Sequence, residues 1–181
     1  MRPVTVHTVI SAPREQIFDF VGDLKNAPAW IDHFAEDFRL ARAKSGGLGA
    51  AARFRVDPPG PHVWVEISNS EFEPPRRIVQ EGRWGRVGRS RSMTVWTFEQ
   101  DAGATRVELS IWTEPGHKWD AIKEHLGARR FMRREAKIML KRLRRVFEEA
   151  HKGELATADL AGYETAKAAR FGDHPDLQGA G

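Results

Sequence analysis

The residues that could do chemistry in this chain are few and scattered. Seven histidines (His7, His33, His62, His117, His125, His151 and His174) show no paired-ligand spacing apart from His117 and Asp120, an ordinary helix-start arrangement, so no metal site is expected. With no cysteine there is no thiolate nucleophile and no disulfide, a composition that fits a reducing cytoplasm. The polar groups with the best claim on a site are Gln80, Glu81, Arg83 and Ser92 within strand-like segments, and His33 and His62 near their ends. Acid–base catalysis needs a pair of groups whose pKa values are moved by burial or by a neighbour. No such pair is marked here: the strand charges alternate outward, as solvated faces do, and no catalytic residue is assigned. Inward placement of Gln80 or Arg83 would favour enzymatic chemistry. A different chemistry is suggested by Arg129–Arg145, where nine basic residues (Arg129, Arg130, Arg133, Arg134, Lys137, Lys141, Arg142, Arg144 and Arg145) stand against one acid, Glu135. Like charges four apart on a helix are mildly destabilising. An anionic membrane surface or an acidic protein would offset that. Nucleic acid is not favoured, because the aromatics do not interleave with the cations.

Those residues must be held by elements that the patterning makes legible. A chain of 181 residues with 40% hydrophobic and 30% charged content suffices for one domain with a sizeable core. Residues 1–10 lack the layout of a signal peptide, and no apolar run approaches the roughly 20 residues that span a bilayer. A cytoplasmic location is the expectation. Val4, Val6, Thr8 and Ile10 alternate with Thr5, His7 and Val9, which predicts a first strand. Pro13 stands where a helix begins, and Ile17, Phe20, Val21 and Leu24 share one helical face. Gly22 keeps that helix short, and Asn26 and Pro28 restart the chain as a second short helix carrying Trp30, Ile31 and Phe34.

Six further strands are predicted over 36–43, 49–56, 62–72, 77–84, 90–99 and 105–113. Glycine- and proline-rich turns separate them: SGGLG at 45–49, DPPGP at 57–61, EPPR at 73–76, GRVG at 85–88 and QDAGA at 100–104. Short loops at regular spacing indicate an antiparallel meander rather than βαβ units. Phe54 and Val56, Val63, Val65 and Ile67, and Val107, Leu109 and Ile111 place apolar residues on one face, which must be covered. Trp64 and Trp112 fall on the opposite parity, either exposed or marking a register shifted by one. The cover is a helix predicted over 118–151, with Ile122, Leu126, Met132, Ala136, Met139, Leu143, Val146 and Ala150 inward and a bend at His125–Gly127. Residues 153–181, rich in alanine, glycine and acids, read as a flexible or weakly helical tail beyond a domain spanning 1–152.

Ile10 followed by AlaProArgGlu at 12–15, IFDFVGDLKNAPAW at 17–30, GluProProArg at 73–76, AlaThrArgVal at 104–107 and the long closing helix together resemble the SRPBCC superfamily, the START-like or helix-grip domains. The resemblance covers about residues 3–151. It implies an α+β fold: a seven-stranded antiparallel sheet wrapped around a long C-terminal helix, with two short helices between strands 1 and 2. It also implies an internal cavity for a lipid, isoprenoid, quinone or polyketide-like ligand, with no cofactor. With alternation, the family topology places Trp30, Phe34, Phe54, Gln80, Trp84, Trp96, Phe98, Leu109, Ile111, Leu126 and Met132 on or near the inner surface. Each of these residues is also an ordinary core candidate. The expected function is binding, transport or sensing of a small hydrophobic ligand by a monomer or homodimer. The alternatives are an aromatase/cyclase-type enzyme acting on a polyketide-like substrate, and a module that docks its basic helix on anionic membrane or an acidic protein.

Overall fold

The computed structural model describes residues 3–57, 62–84, 90–114, 116 and 129–171, with side chains to residue 150. Strand β1 (Val4–Ile10) leads through Ala12 and Pro13 into helix α1 (Arg14–Gly22), a single 3₁₀ turn (Leu24–Asn26) and helix α2 (Pro28–Ile31). Six strands follow: β2 (Ala35–Leu40), β3 (Ala51–Val56), β4 (Val63–Glu73), β5 (Arg77–Trp84), β6 (Ser90–Asp101) and β7 (Ala104–Glu114). They form one antiparallel sheet in the order β1-β7-β6-β5-β4-β3-β2, a meander closed by the return of β1 to β7. Helix α3 (Arg129–Phe171) packs on β1 and α2. This is the α+β helix-grip arrangement that the sequence implied.

Alternation decides which side of each strand faces inward. Val4, Val6 and Ile10 on β1 lie opposite Ile111, Leu109 and Thr105 on β7, and Val107, Leu109 and Ile111 lie opposite Phe98, Trp96 and Thr94 on β6. Ile78, Gln80, Gly82 and Trp84 continue the inner row on β5, and Ile67 and Val65 carry it onto β4. Phe54 and Val56 take it to β3. Trp64 and Trp112 therefore sit on the convex face with no slip of register. Trp64 is 42% exposed, and the Arg53 guanidinium lies 4.6 Å from its ring centroid, so a cation–π contact covers part of that face.

Helix α1 is held by aromatic contacts on two sides. Phe18 is fully buried and meets Phe72 and Phe98 edge-on at 4.9 and 5.5 Å. Phe20 is half-buried and packs against Trp30 and against Phe147 of α3, at 5.5 and 5.4 Å. The expected apolar face thus needed Phe18 added, and Leu24 falls in the 3₁₀ turn instead of the helix. Gly22 ends α1 for a steric reason, since a Cβ there would stand 2.9 Å from the Phe72 ring. The buried Thr105 hydroxyl donates to the Ala12 carbonyl at 2.8 Å and ties the β1–α1 connection to β7.

Details of β2 and α3 differ from expectation. Strand β2 stops at Leu40 instead of 43, after a bulge between Glu36 and Arg39 in which Asp37 adopts φ 52°. In α3 the buried row is Ala136, Leu140 and Leu143, with Met132, Met139 and Phe147 half-buried beside it; Ala150 is exposed. Leu140 and Phe147 join the row that the sequence predicted. The backbone continues helical to Phe171, through alanines at 156, 158, 161, 166, 168 and 169. Alanine is the strongest helix former, and the helical backbone here agrees with the weakly helical form of the expected tail. Ile122, Leu126 and the bend at His125–Gly127 lie outside the described residues.

Candidate ligand-binding site

The concave face has two unlike ends. Around α1, Ile78, Trp96, Phe98, Val107 and Leu109 are buried beneath Ile17, Phe18 and Val21. Toward the other end Val63, Val65, Trp84, Ser92, Thr94, Ile111 and Thr113 are half-buried, while Val4, Gly82 and Ser90 beside them are buried. The side chains there are also smaller. Gly82 lies so close to Ser92 that a Cβ would stand 2.2 Å from its hydroxyl oxygen. Half-buried apolar side chains interspersed with small hydroxyls are the usual lining of a pocket, whereas the first end is core.

A buried polar ribbon marks the junction between the two ends. The Trp96 indole N–H donates to Gln80 Oε1 at 3.2 Å, and Gln80 Nε2 donates to Asn69 Oδ1 at 3.1 Å. Asn69 Nδ2 in turn donates to the Gly47 carbonyl at 3.1 Å, while its backbone pairs with Ala50 and Gly49. Gln80 does face inward, and both its amide atoms have protein partners. Arg83 does not: β5 parity puts it on the outer face, level with Glu66 and Arg91. Of the two inward polar groups expected as candidates, Gln80 is thus placed as expected and Arg83 is corrected.

The remaining expected pocket residues separate along the same line. Trp30 and Phe54 are buried in the core cluster, where Phe54 stacks on Phe38 at 6.2 Å. Phe34 is half-buried beside them, and Met132 is half-buried on α3. Trp84 donates its indole N–H to the Arg91 carbonyl at 3.3 Å. Leu126 lies outside the described residues.

One titratable pair escaped the sequence. The His33 and Glu135 side chains are only 10% and 11% exposed, and His33 Nε2 stands 3.1 Å from Glu135 Oε2. That contact is at ion-pair distance without hydrogen-bond alignment, and neither His33 ring nitrogen has a hydrogen-bond partner among the described residues. A buried polar group left without a partner costs about 1–3 kcal/mol. Burial, and then the Arg142 guanidinium, hold the His33 imidazole below its usual range, with Glu135 and Asp32 pulling the other way. The pair lines a pocket of about 140 Å³ with Asp32, Phe34, Glu36, Asp57 and Phe131. Asp57 follows β3 and Phe131 opens α3, so the pocket adjoins the loosely filled end. The one available signal was Glu135, the lone acid in a basic stripe. A second, shallow pocket of about 360 Å³ lies on the outer face between Asp37, Arg39, Arg53 and Trp64. Among the described residues no cluster of three or more His, Asp or Glu side chains could hold a metal ion. Nor is any helix there long and apolar enough to cross a membrane.

A curved antiparallel sheet closing on one long helix, with a half-filled concave face, defines a helix-grip protein. The sequence pattern of the polyketide cyclase/dehydrase and lipid transport family matches residues 1–148, and the chain belongs to that family. Solved structures with the same fold include TTHA0849 from Thermus thermophilus, with 18% identity, a TM-score of 0.63, and coverage of 82% of this chain and 98% of that one. An uncharacterized protein from Rhizobium leguminosarum matches with 19% identity, a TM-score of 0.59, and coverage of 81% and 94%. DynU16, from the dynemicin biosynthetic locus, matches at 20% identity and a TM-score of 0.55, covering 82% of this chain and 48% of that one. No curated protein sequence matches the chain.

Proposed function

We propose that the protein binds a small hydrophobic ligand between the concave face and α3, at the end lined by Val63, Val65, Trp84, Ile111 and Met132. The observation that carries this reading is the gradient of burial along one sheet face. Ile78, Trp96, Phe98 and Leu109 are closed off, while side chains of the same character two or more positions along the strands are half-buried. Affinity would come from removing apolar area from water, at roughly 25 cal/mol per Å² before the costs of association. The polar ribbon from Trp96 to Gly47 keeps the boundary rigid while donating nothing to a guest. A lipid, isoprenoid, quinone or polyketide-like molecule fits these requirements, as does the name of the family. Native mass spectrometry of freshly purified protein tests it: retained small-molecule mass, together with a raised melting temperature on adding it back, is the expected result. Bare protein from several expression hosts, with no melting shift from a broad lipid extract, would remove the proposal.

A second reading has its own observation. The lone acid of the basic stripe, Glu135, is turned inward against His33, so Arg130, Arg133, Lys137, Lys141 and Arg145 stand exposed on α3 without an acid from within the stripe between them. Such a row suits an anionic membrane surface, each cation contributing about 1 kcal/mol near the lipid headgroups. Co-sedimentation with phosphatidylglycerol vesicles should be strong at low salt, fall steeply with added salt, and drop with K137E/K141E. Equal sedimentation with phosphatidylcholine vesicles would end this reading.

A further inference from the structure

We infer that His33 and Glu135 form a polar subsite that holds the hydroxyl end of an otherwise apolar ligand: a phenol, enol or alcohol rather than a carboxylate. The inference rests on the proposed binding of a hydrophobic ligand and assigns the polar group which that ligand carries. Three features converge on it.

The first is an unmet valence. His33 lines the 140 Å³ pocket with its side chain nine-tenths buried, and among the described residues neither ring nitrogen makes a hydrogen bond. Buried polar groups in folded proteins are nearly always satisfied, by a ligand or water where the protein does not do it. A neutral imidazole carries its proton on one ring nitrogen and leaves the other as an acceptor, and neither nitrogen is committed to the Glu135 carboxylate by an aligned hydrogen bond. Burial and the Arg142 charge favour that neutral imidazole.

The second is the apolar wall. Phe34 meets the imidazole edge-on at 4.8 Å, and Phe131 closes the pocket from the first turn of α3. A flat or branched hydrocarbon body can lie there while its end group reaches the ring nitrogen. The third is charge. Asp32, Glu36, Asp57 and Glu135 all line the pocket. Asp32 is ion-paired with Arg142 and Glu36 with Arg55, and Asp57 lies against the His62 ring. Glu135 has only the 77%-exposed Arg134 at 3.8 Å and the imidazole itself. A carboxylate or phosphate head group would enter against this field, whereas a neutral hydroxyl donates to the imidazole or to Glu135 without cost of charge.

Calorimetric titration of the full chain at pH 7.5 with naphthalene, 2-naphthol and 2-naphthoate tests this assignment. 2-Naphthol should bind about fivefold more tightly than naphthalene, the equivalent of one modest hydrogen bond, and at least about tenfold more tightly than 2-naphthoate. His33→Phe, which keeps the ring and removes both nitrogens, should erase the advantage of 2-naphthol over naphthalene. Glu135→Gln, which keeps shape and removes charge, should narrow the gap between 2-naphthol and 2-naphthoate, and it serves alone if His33→Phe does not fold. Binding of all three with similar affinity, or a preference that both variants leave unchanged, removes the subsite and leaves the carrier reading standing. If none of the three binds, both readings fall.

Discussion

The two ends of the concave face are made by the same strands and yet do different work. At the end beneath α1, each inward position carries a large side chain and meets another: Phe18 wedges between Phe72 and Phe98, and Trp96 is fixed by its hydrogen bond to Gln80. At the other end the inward positions alternate half-buried apolar residues with Ser92, Thr94 and Thr113. The difference teaches where packing is closed: large side chains meet beneath α1, while several inward side chains at the far end, the end proposed for the ligand, keep partial exposure. A protein only marginally stable overall can keep such a region only if another compensates.

Substitutions sharpen this contrast, and truncation shows it most strongly. Phe98→Ala should destabilise the protein by about 3–5 kcal/mol, as expected for a fully buried aromatic in a packed core. Trp84→Ala, at the half-buried end, should cost under about 2 kcal/mol, because less contact is lost. Urea denaturation of both variants checks the pair. Equal losses would mean that the two ends are packed alike.

Glycines give a smaller, sharper version of the test. Gly22→Ala would push a methyl group to 2.9 Å from a Phe72 ring held in place by Phe18, and should cost about 1–3 kcal/mol. Gly82→Ala meets the Ser92 hydroxyl at a nominal 2.2 Å, but that oxygen can rotate away into the loosely filled end. Its cost should stay under about 1 kcal/mol. Thermal melts in which Gly82→Ala is the worse variant would contradict the division.

The smallest effect concerns pH. The folded His33 pKa lies below the ordinary value of 6.5, so between the two values the unfolded chain binds more protons than the folded one. This contribution to stability is present above 6.5 and is lost as pH falls through that value toward the lowered folded pKa. Wild type should therefore lose more stability than His33→Phe on going from pH 7.5 to 5. Parallel profiles would mean that His33 titrates normally.

Much of this organisation was legible in the residues because alternation is a local property. Val4, Val6 and Ile10, or Val107, Leu109 and Ile111, declare their face within a few positions, and the EPPR turn at 73–76 delimits two strands. The polar ribbon was only half legible. Gln80 follows the parity of β5 and Asn69 that of Val65 and Ile67 on β4, so both declare their face, but their hydrogen bond does not; the register of β4 then shifts between Asn69 and Glu71. That bulge restores Phe72 to the inner face three positions later, and no alternation pattern announces it. His33 and Glu135 were illegible as a pair, since they meet only when α3 folds back over the α2–β2 corner. Charge patterning also misled at Glu135, which reads as part of a solvated face and is turned inward.

Nuclear magnetic resonance of the tryptophan indole N–H groups, during titration with naphthalene, tests the division most directly, because Trp84, Trp96 and Trp64 sample the two ends and the convex face. The Trp84 signal should move saturably, with Trp96 and the outer Trp64 unmoved. Movement of Trp64 alone, or of no indole signal at all, would contradict a ligand site at the half-filled end.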